Sequence, residues 1–335
     1  MPFDIHRGTN ISHWLSQSKA RGQERRAYFT RADVQRLAGL GLDHLRIPID
    51  EEQVWDEKGN RDREAFAILD SALDWCKEAN LRAIVDLHIL RTHYFNDQEE
   101  PRLFTDPAEE KRFAGLWRDL SAHLCRRPHD GVAYELMNEA VARDAADWNR
   151  VARAAWAAIR QAEKDRTVVL GSNRWNSAST FYDVEVPEGD PHIILTFHYY
   201  NPMLITHYRA SWWPGGKYEG PVHYPGQPIG PHDWEKLPAD MKGLLADQNL
   251  FYNAGVMERD LAPPMAIRKQ THLPLYCGEF GAINFTPDPL RKAWYRDFRG
   301  VLSKHGIAWA NWDYKGGFGL FDGGKPTVVV EALLK

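Results

Sequence analysis

Two glutamates at the ends of apolar segments carry the chemistry that this sequence suggests most directly. Glu139 closes the segment Glu-Leu-Met-Asn-Glu, and Glu279 lies within Gly-Glu-Phe-Gly. Two carboxyl groups about 5 Å apart can cleave a glycosidic bond with retention, because one protonates the leaving oxygen while the other attacks the anomeric carbon. We therefore take Glu139 as the candidate general acid/base and Glu279 as the candidate nucleophile.

These two roles need different surroundings. Glu139 has to hold a proton near neutral pH, and both partial burial and the negative charge of Glu279 would raise its pKa. Glu279 has to stay ionised, which requires hydrogen-bond donors around it. Arg46, in Leu-Arg-Ile-Pro, and Tyr200, in Phe-His-Tyr-Tyr, are the candidate donors.

Further polar and aromatic residues lie in or directly after other apolar segments. His88 ends Val-Asp-Leu-His, His198 lies in Phe-His-Tyr-Tyr, and Trp312 ends Trp-Ala-Asn-Trp. Each one alone is more often a structural residue than a functional one. In a barrel of parallel strands, however, the carboxyl ends of all strands meet on one side, and the active sites of this fold lie there. The recurrence therefore favours one site on that side.

The elements that must position these residues follow an alternating pattern. Eight apolar segments alternate with amphipathic helical segments, as in a parallel sheet built from βαβ units, and eight strands can close a barrel. Helix starts are indicated where Asp106 precedes Pro107 and where Thr286 precedes Pro287. We predict an α/β fold, a single (β/α)8 TIM barrel over residues 1–335. The predicted strands are Ile5–Asn10, His44–Ile49, Arg82–His88, Val132–Asn138, Thr167–Gly171, His192–Tyr199, Leu275–Glu279 and Ile307–Trp312.

Two long segments interrupt this rhythm, Ile89–Thr105 after the third strand and Asn201–Pro238 after the sixth. The second is rich in aromatic residues, which disordered segments lack, and long loops of compact domains are commonly functional. We expect both to shape a cleft, and we hypothesise that they close one end of it and favour short or chain-end substrates. Candidate platforms for sugar rings are Trp14, Trp175, Trp212 and Trp213, although aromatic residues also fill cores.

Composition excludes several other functions. The net charge of -4 gives no electrostatic reason to expect a nucleic acid or an anionic membrane as partner, and no apolar run is long enough to cross a bilayer. The three cysteines have no metal-ligand spacing, and we expect no disulfide framework. No leader-like segment opens the chain, which is compatible with a cytoplasmic protein or with a secreted one whose leader has been removed.

Two rival functions remain open at this stage. A metal-dependent barrel hydrolase could use His88, His93 and His198, but the sequence has no His-Glu-x-x-His motif and no His-x-His at the end of the first strand. A non-catalytic carbohydrate-binding protein on the same scaffold would be expected to have lost a catalytic carboxylate, and both are present. We expect no cofactor.

At these residues the sequence resembles glycoside hydrolase family 5, the cellulase-type family of retaining β-glycosidases. Asn138-Glu139 is similar to the acid/base motif of the family, and Gly-Glu-Phe-Gly around Glu279 is similar to its nucleophile motif. The resemblance extends over essentially the whole chain in strand order. One departure is Ala140, where the family often has a proline.

The resemblance implies a set of residues around the substrate. Arg46 and Tyr200 would orient the nucleophile, His198 would lie beside the acid/base, Asn138 would hold the sugar 2-hydroxyl, and Trp312 would stack under the sugar at the cleavage point. It also implies a β-linked glucan or gluco-oligosaccharide as substrate, with β-mannan and β-1,3-glucan as alternatives. With two of the candidate platforms added, the expected substrate-binding residues are Arg46, His88, Asn138, His198, Tyr200, Trp312, Trp175 and Trp14.

Overall fold

Eight parallel strands form a closed barrel in which each strand pairs with the next in the chain and the eighth pairs with the first. The structure is a computed structural model, and it describes residues 2–97 and 99–335. The predicted TIM barrel is confirmed. Its strands are β1 (Arg7–Asn10), β2 (His44–Ile49), β3 (Arg82–Leu87), β4 (Val132–Glu135), β5 (Val168–Gly171), β6 (Ile193–Tyr199), β7 (Leu275–Phe280) and β8 (Ala308–Asn311), followed by the hairpin β9 (Phe321–Asp322) and β10 (Lys325–Pro326).

Helices follow the strands around the outside of the barrel. The carboxylate of Asp106 accepts a hydrogen bond from the backbone of Ala108 and so caps the helix that begins at Pro107, as the sequence predicts. The helices are α1 (Gly22–Tyr28), α2 (Arg31–Gly39), α3 (Glu51–Val54), α4 (Arg63–Glu78), α5 (Arg102–Thr105), α6 (Pro107–Leu124), α7 (Ala145–Ala162), α8 (Asn173–Asn176), α9 (Met203–Thr206), α10 (Pro231–Glu235), α11 (Ala239–Leu245), α12 (Ala254–Asp260), α13 (Ala262–Thr271), α14 (Asp288–Lys304) and α15 (Val328–Leu334).

The fourth strand is shorter than the predicted Val132–Asn138, because it ends at Glu135. The chain beyond it stays attached to its neighbours: the Leu136 amide donates to the Val169 carbonyl of β5, and the Asn138 amide donates to the Leu87 carbonyl of β3. Segment 136–139 therefore leaves the regular ladder while remaining fixed at the carboxyl end of the barrel.

Two apolar layers hold the barrel together. Inside it, side chains from β3 to β8 meet Phe3 and Ile5, which precede β1 and so lie at the amino-terminal end of the strands. A much larger layer lies between the strands and the helices. Burial of apolar surface is the main favourable term in folding, and these two layers supply it. The carboxyl-terminal end of the barrel is therefore free to hold polar side chains.

The extended loops predicted after the third and sixth strands are present. The loop Ile89–Thr105 contains the short helix α5, and Gln98 within it lies outside the described residues, as does Met1. The segment that follows β6 is more regular than the predicted loop Asn201–Pro238, because α9 and α10 lie inside it and α11 and α12 follow before α13. The buried side chains of Tyr218, Tyr224 and Tyr252 explain its order.

The remaining expectations about the chain concern thiols and membranes. Cys76 and Cys277 are buried and Cys125 is exposed, and all three are free thiols in the structure. Among the described helices none combines the length and apolarity that a bilayer crossing requires.

Candidate active site

A local irregularity in the pairing of β6 with β7 positions Glu279. Phe197 lies opposite Cys277, but the next pair is His198 and Glu279, so that Gly278 is an additional residue on β7. Bulges of this kind re-aim the side chain that follows them. A Cβ atom at Gly278 would come within 2.8 Å of a β6 side chain, and glycine is therefore required for the two strands to approach.

Two donors hold the carboxylate of Glu279. Arg46 donates from Nη1 to Oε1 over 2.7 Å, and the hydroxyl of Tyr200 donates to Oε2 over 2.9 Å. Burial raises the pKa of Glu279, while the charge of Arg46 and the hydrogen bond from Tyr200 oppose that rise. Both oxygens thus have partners that favour the ionised form.

Glu139 lies four residues beyond the end of β4 in a left-handed backbone conformation, with φ 46, which is uncommon for a residue with a side chain. His198 Nδ1 lies 2.9 Å from its Oε1. Burial first, and then the charge of Glu279, raise the pKa of Glu139 well above its usual value. The family-typical proline is replaced by buried Ala140, whose carbonyl accepts a hydrogen bond from the Trp175 amide.

The two glutamates face each other closely. One oxygen of Glu139, one oxygen of Glu279 and a ring nitrogen of His198 all lie within 4.8 Å of one another. Retaining glycosidases have carboxyl groups about 5 Å apart, whereas inverting enzymes need about 6.5–9.5 Å to admit a water molecule. The spacing therefore fits direct attack by one carboxylate.

Arg46 is the fixed cation of the site. It is fully buried and forms a two-point ion pair with Glu135, from Nε to Oε2 over 2.7 Å and from Nη2 to Oε1 over 2.9 Å. Its Nη2 also lies 3.0 Å from Asp86 Oδ2, and Nη1 donates to Asn10 Oδ1. Burial raises the pKa of Asp86 and of Glu135 to about 7, against the opposing effect of Arg46.

Neither Asp86 nor Glu135 receives a role from the sequence pattern. A signal was nevertheless present, because β2, β3 and β4 are mostly apolar and each carries one of the charged residues Arg46, Asp86 and Glu135. Buried charges need partners, so an arginine in one such strand and acids in the next two predict an ion-pair network. Only the strand register brings Arg46 into contact with both acids.

His88 and Trp312 form one wall of the site. Their rings are stacked, with centroids 5.5 Å apart and planes 6° apart. His88 Nδ1 lies 2.7 Å from Asp86 Oδ2, and burial lowers the pKa of His88 to about 3, so the ring is neutral at physiological pH. The proton shared with Asp86 leaves Nε2 of His88 as a hydrogen-bond acceptor.

Asn138 is held by its oxygen and offers its nitrogen. Oδ1 accepts a hydrogen bond from Arg46 Nη2 over 2.9 Å. The amide nitrogen Nδ2 is buried and has no hydrogen-bond partner within residues 2–97 and 99–335. A buried donor without a partner costs free energy unless a ligand satisfies it, and this one lies beside the two glutamates.

The four candidate sugar platforms differ in how far their side chains are exposed. Trp14 is 1% exposed, donates from Nε1 to the Arg25 carbonyl and packs against Phe29, so its prediction as a substrate platform is wrong. Trp175 is 48% exposed and Trp212 is 54% exposed. Trp213 is half-buried and packs on the backbone of its own segment.

The histidines proposed for a metal site do not converge. Glu139, His198 and Glu279 are the one group of three metal-ligating residues that meets in the described part of the chain, and it excludes His88 and His93. Within that group both oxygens of Glu279 already accept hydrogen bonds from protein donors, which suits a nucleophile better than a metal ligand.

The comparisons with known proteins agree with this geometry. Residues 8–317 match the family model described as cellulase, glycosyl hydrolase family 5. The chain is 32% identical to endoglucanase C of Acetivibrio thermocellus, over 92% of the chain and 90% of that protein, and 27% identical to cellodextrinase A of Ruminococcus flavefaciens, over 91% and 84%. Endoglucanase Cel5A of Thermotoga maritima has the same fold, with TM-score 0.78, 24% identity and coverage of 98% and 96%.

Proposed function

The chain belongs to glycosyl hydrolase family 5 and is a retaining hydrolase of β-linked glucans or gluco-oligosaccharides, and from that membership we propose that Glu279 is its nucleophile and Glu139 its general acid/base. The observation that carries these roles is the facing pair of carboxyl groups within 4.8 Å, one held by two donors and the other with a strongly raised pKa. A single-displacement mechanism would need a wider separation.

In the first half of the reaction, a Glu279 oxygen attacks the anomeric carbon while Glu139 gives its proton to the leaving oxygen. The glycosidic bond breaks, and a glycosyl ester forms on Glu279. Arg46 and Tyr200 hold Glu279 in the attacking orientation through their short hydrogen bonds. Because the nucleophile is already oriented, the entropic part of the activation free energy is lower.

In the second half, Glu139 is ionised and removes a proton from a water molecule, which attacks the anomeric carbon from the side that the leaving group has vacated. The ester to Glu279 breaks, and the sugar leaves with its original anomeric configuration. The pKa of Glu139 falls once Glu279 has lost its negative charge in the ester, so one residue serves both as acid and as base.

The side chains beside the two glutamates suit a sugar at the cleavage point. The free Nδ2 of Asn138 would donate to its 2-hydroxyl, and Nε2 of His88 would accept from another hydroxyl. The indole of Trp312, which stacks with His88, would supply an apolar surface. Hydrogen bonds to the 2-hydroxyl strengthen in the transition state of glycosidases.

Two exposed indoles extend the site beyond the cleavage point. The Trp175 ring is fixed by a hydrogen bond from Nε1 to the Phe95 carbonyl, and its amide is bonded to Ala140, next to the acid/base. Trp212 rests against Phe318, which also contacts Tyr200. We propose both as platforms for further glucosyl units, with β-linked glucans or gluco-oligosaccharides as substrates, as the names of the endoglucanase and cellodextrinase relatives favour.

The test combines stereochemistry with a substrate panel. Proton NMR of the first products should show the β-anomer before mutarotation produces the α-anomer. Initial appearance of the α-anomer would rule out the proposed double displacement. Hydrolysis of β-1,4-glucan, mixed-linkage glucan, β-1,3-glucan, β-mannan and cello-oligosaccharides, with products sized, should favour glucans over mannan. Binding of an aryl β-glucoside without turnover would instead favour the non-catalytic alternative.

A further inference from the structure

The turn that follows β5 has an unusual backbone. Arg174, Trp175 and Asn176 are three consecutive residues with left-handed conformations, φ 55, 61 and 51. Residues with side chains adopt this region rarely, and such conformations persist only where surrounding contacts impose them. Asn173 supplies one such contact, because its side chain accepts from the Ala142 amide and donates to the Ala142 carbonyl.

The last residue of this turn, Asn176, contacts His198 on the side of the ring opposite Glu139. Asn176 is fully buried, and its Nδ2 lies 3.3 Å from Nε2 of His198. The next residue, Ser177, pairs with His198 through a parallel backbone bridge. The other amide atom, Oδ1, has no hydrogen-bond partner among the residues that the structure covers, and a Cβ atom at Gly171 would lie only 2.5 Å from it. Glycine at 171 thus leaves room for Asn176.

The two nitrogens of His198 therefore face partners of opposite kind. With the amide turned this way its nitrogen can only donate, so this orientation corresponds to Nε2 of His198 as acceptor and to the proton of the neutral ring on Nδ1. Nδ1 in turn lies 2.9 Å from Glu139 Oε1 and 3.7 Å from Glu279 Oε2. A proton on Nδ1 makes His198 a donor to Glu139.

We propose that Asn176 is a positioning residue that fixes the His198 proton on Nδ1 and thereby directs the acid proton of Glu139 onto Oε2, toward the leaving oxygen. If Nδ1 carried no proton, it would accept the acid proton of Glu139 and turn it away from the substrate. This inference rests on the proposed role of Glu139. It adds a third residue, from a different loop, to the pair of Glu139 and His198.

The ring of His198 stays neutral because of its surroundings. Burial, and then the positive charge of Arg46, lower the pKa of His198 well below its usual value. Asn176 therefore selects between two neutral forms of the ring. The titratable and charged groups that face His198 or Glu139 are Glu279, Arg46, His88, Asp86, Glu135 and Tyr200.

The first experiment uses the unchanged protein. Histidine labelled with ¹⁵N in wild-type protein should give, for His198, a protonated Nδ1 and an unprotonated Nε2, with the resonances assigned by their loss in a His198→Asn variant. The reverse form, with the proton on Nε2, would overturn the inference. That outcome would leave the roles of Glu139 and Glu279 untouched, because those roles are tested by the kinetics of their own variants.

The second experiment changes the partner of Nε2. In Asn176→Asp a carboxylate would accept a hydrogen bond from Nε2, so that the proton of the neutral ring moves from Nδ1 to Nε2. Nδ1 then no longer donates to the ionised form of Glu139 but accepts from its protonated form, and the added negative charge acts in the same direction. The pKa of Glu139 rises, and the alkaline limb of kcat/KM should move to higher pH by about one pH unit. Asn176→Ala should lower kcat several-fold for substrates with poor leaving groups and much less for activated aryl glucosides.

Asn173→Asp is the matched control. Asn173 is a buried asparagine of the same turn whose side-chain amide bonds to the backbone of Ala142, so this variant should keep the alkaline limb of the wild type even if its activity or melting temperature falls. A limb that stays in place in folded Asn176→Asp, or that moves equally in both variants, contradicts the inference. If Asn176→Asp does not fold, the ¹⁵N measurement decides.

Discussion

The carboxyl ends of β4 and β7 each present a glutamate, and the two side chains have the different surroundings that their proposed roles require. At β7, a guanidinium and a phenol occupy both oxygens of Glu279. At β4, Glu139 has one neutral imidazole as partner and lies next to the charge of Glu279. Two glutamates in one pocket therefore differ through their neighbours, and the proton resides where fewer donors compensate for burial.

The largest effect should come from removing the attacking oxygen. In Glu279→Gln we expect turnover of a natural glucan to fall by about 10⁴-fold or more, because no ester can form, while binding persists. Steady-state kinetics and calorimetry measure the two quantities. Glu57→Gln, at an exposed position in the turn after α3, serves as control, and near-normal turnover in Glu279→Gln would remove Glu279 from its role.

The proposed general acid is tested by Glu139→Ala. General acids contribute about 10²–10⁴-fold, and the loss should fall on substrates with poor leaving groups, which need protonation. Activated aryl β-glucosides should react nearly as fast as before in the first step. A plot of rate against leaving-group pKa for both enzymes measures this, and equal losses across the series would count against the acid assignment.

Replacing Arg46, the cation that several buried carboxylates share, should lower the stability of the fold. Arg46→Met leaves Glu135, Asp86 and Glu279 buried without their partner, and loss of one member of a buried ion pair costs about 3–5 kcal/mol. We expect a lower free energy of unfolding in denaturant titrations. The double variant Arg46→Met with Glu135→Gln should recover part of that loss, since it removes one of the uncompensated charges, and no recovery would mean that the pair is not coupled.

The smallest effect should come from the hydroxyl group that bonds to Glu279. Tyr200→Phe removes one hydrogen bond to ionised Glu279, a contribution of about 1.5–3 kcal/mol. That bond lowers the pKa of Glu279, so its loss raises the pKa, and the acid limb of kcat/KM should move to higher pH. The alkaline limb, which reports Glu139, should move much less. A shift of the alkaline limb alone would assign the two limbs the other way round.

Features that depend on neighbouring residues in the sequence could be predicted, whereas features that depend on contacts between distant segments could not. The strands and the two glutamates were predictable because apolar segments that end in polar residues are local patterns. Trp14 was predicted wrongly, since a lone tryptophan carries no periodicity that says which way it faces. Asp86, Glu135 and Asn176 needed strand register and loop conformation, which residue spacing does not specify.

The additional glycine in β7 has a consequence for how such a site could arise or be lost. Successive residues of a strand face opposite sides. Tyr276 points into the barrel and Phe280 packs outside it, an assignment that strict alternation forbids for residues four apart. The bulge at Gly278 reverses the parity, and the same residues in an unbroken strand would turn Glu279 toward the surrounding helices. Catalytic competence on this scaffold thus depends on where the strand departs from strict alternation as much as on residue identity.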